Sequence, residues 1–157
     1  MPSAGEITAR VILRESLNAM SFRDGVRLPA GVGLGLRYAF IDELTELVAN
    51  GNSVPLDFLE VCPENYMRRG GAVPRSLFAL AERLPVLTHG LTMSFGNDGP
   101  LGGGADYVDE LKAFLTRVAP SFHSDHLCFS ASKGRFTHDL LPLPFIEESV
   151  LRVAASV

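Results

Sequence analysis

Four short apolar runs, each followed by a helix-patterned stretch, constrain the fold of this chain more than any other feature. GVGLGLRY (31–38), LDFLEV (56–61), VLTH (86–89) and SFHSDHLCF (121–129) read as strands. The stretches after them repeat apolar residues at helical spacing. Ile41, Leu44, Leu47 and Val48 share one face over 40–50, and Leu77, Leu80, Ala81 and Leu84 share one over 74–84. Tyr107, Leu111, Phe114, Leu115 and Val118 form the clearest stripe, over 106–118. Ile146, Val150, Val153 and Val157 are in phase over 145–157, after the proline-rich LLPLP at 140–144. Units of about 30 residues in the order βαβαβαβα predict parallel strands joined by crossover helices, an α/β chain.

Two architectures accept that pattern: a small doubly wound sheet, or a (β/α)8 barrel, which needs about 250 residues. The chain has 157 residues, enough for four units, or half a barrel. Residues 1–30 are weakly patterned, with Pro2, Gly25 and Pro29, and read as an N-terminal extension preceding a domain over 31–157.

Charge and cysteine content remove several functions. The net charge is −4, which speaks against a nucleic-acid-binding face, since phosphate contacts need clustered Lys and Arg. Arg68-Arg69 is the one adjacent basic pair and reads as solvated. The N-terminus has no signal-peptide apolar block, and no apolar run is long enough to span a bilayer, so no membrane partner is expected. Cys62 and Cys128 match no paired-cysteine motif and read as two reduced thiols of a cytoplasmic protein.

In both architectures ligands gather at the C-terminal ends of the strands. The polar residues fall there. Glu60, then Glu64 and Asn65, follow the second strand; His89 ends the third; His123, Asp125 and His126 belong to the fourth. Each residue alone reads as a capping or hydrogen-bonded group. Together on one rim, neutral imidazoles and carboxylates are the set that suits iron, manganese or zinc.

Rival motifs fall short. Gly31-Val-Gly33-Leu-Gly35 lies before or within a strand rather than between strand and helix, so close backbone packing explains it better than dinucleotide binding. Gly102-Gly103-Gly104 lacks the Gly-Lys-Ser/Thr of a phosphate loop and reads as a flexible lid. A Cys128–His126 or Cys128–His89 nucleophile pair has no orienting third group. Within HSDHLC (123–128), His126 falls on the rim at the end of its strand, as His89 does on the neighbouring one. His123 lies three residues earlier and should face the other side of the strand as a structural residue, while Cys128 packs.

GLGLR (33–37), DFLEVCPENYMRRGG (57–71), LTHGLTMSFG (87–96), SDHLCFS (124–130) and LLPLPF with its helix (140–157) come in an order that resembles one family. It is the xylose-isomerase-like TIM-barrel family, once of unknown function, of multinuclear non-haem iron enzymes that modify ribosomally made peptides. The methanobactin-biosynthesis oxidase and the enzymes of bufferin-type operons belong to it. The resemblance covers about 31–157 and implies a (β/α)8 barrel of which this chain supplies the N-terminal half. It implies two or three irons at the rim, with His89 and His126 as ligands. Glu60, Glu64, Asn65 and Asp125 are implied near the rim, in contact with ligands or substrate. It further implies a Cys-containing precursor peptide as substrate, delivered by a separate recognition protein.

The family's later Glu, Asp, Asn and His motifs would follow Val157, so the chain is expected to be incomplete as an enzyme. The runner-up reading is another divalent-metal barrel of the same superfamily, a sugar isomerase or an endonuclease. A third is a non-catalytic remnant. A half-barrel is also expected to expose its outer strands, and so to be unstable or to associate through them.

Overall fold

A computed structural model describes residues 29–97, 104–132 and 135–157. The expected extension over 1–30 lies outside the described residues except for its last two, as does the glycine run up to Gly104. Strand β1 is Gly33–Gly35, helix α1 Ile41–Ala49, strand β2 Phe58–Val61, followed by a 3-10 turn at Pro63–Asn65. Helix α2 is Ala72–Ala81, strand β3 Val86–His89, helix α3 Gly104–Val118 and strand β4 Phe122–Ser124. Strands β5 (Cys128–Ser132) and β6 (Arg135–Pro142) and helix α4 (Glu147–Ser156) complete the chain.

Strands β1 to β4 form one parallel sheet in sequence order, with helices in the connections. The parallel α/β order is the one the pattern predicts, and it is that of a partial TIM barrel, as the resemblance implies. In register, Leu59 stands beside Val86 and Val61 beside Thr88, while Glu60 stands beside Gly35 and Leu87. Because side chains alternate, Leu59, Val61, Val86 and Thr88 share the face that the helices cover, and all four are buried. Leu44 of α1, Leu77 and Leu80 of α2 and Phe114 and Val118 of α3 close over them as one core. The opposite face carries Phe58, Glu60, Leu87, His89, Phe122 and Ser124; Glu60 is exposed there and the others are half-buried.

The helices follow their apolar stripes. In α3 the buried residues are Tyr107, Leu111, Phe114 and Val118, at the spacing of one helical face. Helix α1 stops at Asn50, and Gly51 turns the chain with a φ of 74°, a conformation glycine adopts without a steric cost. The glycines before β1 prove to be a matter of close packing. A side-chain carbon on Gly33 would overlap the Phe58 ring, and one on Gly31 would overlap Asp57, whose Oδ2 accepts the Val32 N–H at 2.7 Å.

Three elements differ from expectation. The first strand pairs over three residues only, since Leu36 makes a last hydrogen bond to the Glu60 carbonyl and the chain then turns into α1. The fourth strand is not continuous: it leaves the sheet after Ser124 and resumes at Cys128, paired antiparallel with β6. Strand β6 is unmarked in the sequence and runs into the first residues of LLPLP, with Pro142 beside Cys128 at the terminus of a two-stranded sheet, a position where proline is tolerated.

Strands β1 and β4 are the outer strands, each with one neighbour among the described residues. The apolar stripe of α4 has no cover among them either: Val150 and Leu151 are 67% and 63% exposed, and no residue of this helix is buried. Among the described residues no helix is long and apolar enough to cross a membrane.

Candidate metal centre

His89 closes β3, directly beside Ser124, the last residue of β4. The Ser124 hydroxyl donates to the Thr88 carbonyl at 3.4 Å and stands 2.8 Å from His89 Nδ1. With the hydroxyl proton directed at Thr88, its oxygen accepts from Nδ1–H. That tautomer leaves Nε2 of His89 bare. The bare nitrogen faces Nε2 of His126 at 3.1 Å, with ring centroids 4.7 Å apart. Two imidazole nitrogens so placed can share a proton or a cation. Nitrogens bonded to one metal at about 2.1 Å each would stand roughly 3 Å apart, so the pair fits as two donors to one ion.

His126 does not lie on a strand. It sits in the break after β4, and Asp125 holds it there: Oδ1 accepts the His126 N–H at 2.6 Å and Oδ2 the Met93 N–H at 3.2 Å. The same carboxylate crosses Gly90, where a side-chain carbon would come within 2.3 Å of Oδ2. Burial pushes the Asp125 pKa up, against the pull of the two N–H groups.

Glu64, in the 3-10 turn after β2, is a second junction. Its Oε1 accepts the Leu91 N–H at 2.8 Å and the Tyr107 hydroxyl at 2.7 Å, and its Oε2 accepts the Cys62 thiol at 3.2 Å. Burial alone would raise its pKa. The donors outweigh burial and hold the carboxyl below the usual carboxylate range. Their own protons become harder to remove: burial, then Glu64, pushes Cys62 up to about 12 and raises Tyr107 as well.

The residues singled out in the sequence thus separate. His89 and His126 meet, and Asp125 fixes the backbone of His126. Glu64 ties the loop after β3 and the first turn of α3 to the rim without bonding either imidazole. Asn65 is exposed, and its carbonyl accepts the Tyr38 hydroxyl. No hydrogen bond joins Glu60 or the Asn65 side chain to the pair. His123 shares the helix-covered face with Thr88, whose Oγ1 is 2.9 Å from its Nδ1. Burial lowers its pKa, and its Nε2 is buried without a partner among the described residues. Among the described residues neither cysteine meets an imidazole: Cys62 donates to Glu64, and Cys128 is buried with its Sγ 3.9 Å from Ser94 Oγ.

Sequence reasoning missed Ser124 and Tyr107. Ser124 could have been found from its place beside His89 in the register. Tyr107 reads as a core residue of α3, and it is buried, but its hydroxyl serves the rim. Among the described residues no group of three or more His, Cys, Asp and Glu side chains is placed to hold a metal ion.

Residues 31–157 match the family described as RiPP precursor modification enzyme MbnB/TglH/ChrH. Relatives include a UPF0276 protein of Pseudomonas aeruginosa, 41% identical over 128 residues, which are 82% of this chain and 43% of that protein. A UPF0276 protein of Caulobacter vibrioides is 41% identical over 131 residues, 81% of this chain and 43% of its own length. One of Shewanella sediminis is 38% identical over 128 residues, 82% of this chain and 44% of its own. The chain thus spans less than half the length of these relatives and corresponds to the N-terminal half of the family domain.

Proposed function

The chain belongs to the MbnB/TglH/ChrH family of RiPP precursor modification enzymes, and from that premise we propose an iron-dependent oxidative enzyme of the cytoplasm. Its substrate is a cysteine of a ribosomally made precursor peptide, presented by a separate recognition protein. Residues 31–157 supply the first four βα units of its barrel, and residues 1–30 an N-terminal extension. The observation that carries this reading is the convergence of His89 and His126 at 3.1 Å on the strand-end rim.

His89 and His126 each offer a neutral imidazole nitrogen to iron. Ser124 sets which nitrogen of His89 is bare, and such outer partners are what orient ligating imidazoles. Asp125 keeps the His126 backbone against the loop after β3. Glu64 seals that loop to α3 through Leu91 and Tyr107, and burial, aided by Glu64, keeps Cys62 protonated, so this thiol does not compete with a substrate thiolate. Glu60, exposed on the face opposite the helices, is free to meet substrate. Iron, when bound, supplies the dioxygen chemistry and an attachment point for the peptide thiolate.

The test is the iron content of the full-length protein that carries this chain, beside its His89→Ala/His126→Ala variant. Iron should be lost from the variant, with loss of cysteine oxidation in the peptide. Unchanged iron would remove both residues from the site.

A further inference from the structure

A cleft of about 400 Å³ opens between α2, α3 and the loop leading into α2. It uses none of the residues of the imidazole rim. Its walls carry Arg69, Arg75 and Arg117, and its floor includes Pro74, Phe78 and Phe114. The lining has one acid, Glu110, which already pairs with Arg68 at 2.5 Å. Among the described residues, none of the three wall arginines has a carboxylate partner.

Two of these arginines are held in place without one. The Arg117 guanidinium lies 3.5 Å from the Phe78 ring centre, and that of Arg69 5.5 Å from the Tyr38 ring. Stacked arginines have already given up much of their rotamer freedom, and less is lost when they grip a carboxylate. At the same mouth α2 begins at Gly71 with no side-chain cap, which adds the positive end of a ten-residue helix to the arginines. A chain of net charge −4 has thus gathered three arginines around an apolar floor.

We infer that this cleft binds an acidic segment of the precursor peptide, with carboxylates on Arg69, Arg75 and Arg117 and an apolar side chain against Phe78 and Phe114. The inference rests on the reading of the substrate as a peptide. Charge and shape both favour that occupant. Planar guanidinium forks match carboxylates, and the apolar floor has nothing to offer a simple phosphate. A nucleic acid would bring its polyanion against a net negative surface.

The probe is a short fluorescein-labelled peptide of aspartates around one phenylalanine, titrated into the full-length protein and followed by anisotropy. Saturable, salt-sensitive binding is expected, and its asparagine counterpart should bind at least about tenfold more weakly. Arg75 is exposed on α2, so Arg75→Gln should leave the fold intact by circular dichroism while weakening the acidic peptide about tenfold. Arg117→Lys keeps the charge but loses the fork, and should weaken it less than Arg117→Gln does. Equal binding of the two peptides, unchanged affinity in Arg75→Gln, or displacement by inorganic phosphate at peptide concentrations would each overturn the inference. Iron is measured in the same preparations. Arginine-independent peptide binding with iron present sinks the cleft alone, whereas arginine-dependent binding without iron sinks the metal reading alone.

Discussion

The carboxylate of Asp125 lies across Gly90 so closely that a methyl group there would stand 2.3 Å from Oδ2. That carboxylate also holds the N–H groups of His126 and Met93. Gly90→Ala should therefore push Asp125 aside and loosen His126. We expect a loss of about 1–3 kcal/mol in stability, the scale of overpacking, and a reduced iron content. Gly35→Ala is the control, because its added carbon meets nothing within 4 Å. Thermal melts and metal analysis of the two variants should diverge; equal behaviour would show that the Asp125 contact is dispensable.

Ser124→Ala removes the hydroxyl beside His89 Nδ1 while keeping the ring itself. Loss of an outer partner of a ligating imidazole costs about 10–100-fold in metal affinity. A chelator competition should show that drop, with a nearly unchanged melting temperature. An affinity equal to that of the parent protein would mean that Ser124 does not set the tautomer.

Glu64 makes stability depend on acid. Its folded-state pKa is depressed, so the unfolded chain binds the proton more readily. The stabilisation is full above the ordinary glutamate range, near pH ~4.3, and is lost as pH falls through the lower folded-state value. Glu64→Gln should cost about 1 kcal/mol near neutrality, the scale of one hydrogen bond. The gap to the parent protein should shrink below about pH 4. Urea melts at both pH values check this, and a gap that widens in acid would contradict it.

Much of this architecture could be read from the sequence where a pattern runs long enough. The α3 stripe spans the whole helix, and its buried residues are those the periodicity marks. His89 and His126 are legible as rim residues because each stands at the C-terminal end of a strand, His89 closing β3 and His126 following β4. What escaped was set by contacts remote in sequence. The fourth strand looks continuous from 121 to 129. It breaks where Asp125 turns to the Met93 and His126 N–H groups, a contact that alternation does not register. Tyr107 carries a core signal, and nothing near it announces that its hydroxyl bonds a carboxylate 43 positions earlier. The limits of the first strand escaped because GVGLGLRY, rich in glycine, has few side chains whose alternation could mark them.

Cys62 offers a chemical readout of the same junction. Burial, followed by Glu64, pushes its thiol up to about 12, so little thiolate exists at mildly alkaline pH. Iodoacetamide should label it slowly, and Glu64→Gln should raise the rate several-fold by removing the negative neighbour. Peptide mapping separates Cys62 from the buried Cys128. A labelling rate that ignores the Glu64 substitution would show that burial alone controls the thiol.

The sheet runs β1-β2-β3-β4 in space as in sequence, and this has a consequence for synthesis. Chains leave the ribosome N-terminus first, and domains can begin to fold as they emerge. Each new strand here finds its only earlier partner already made, with no gap left for a strand still to come. The sheet can therefore grow by accretion, one βα unit at a time. The rim grows with it: Glu60 arrives with β2, His89 with β3, and His126 last, onto a neighbour that is already in place.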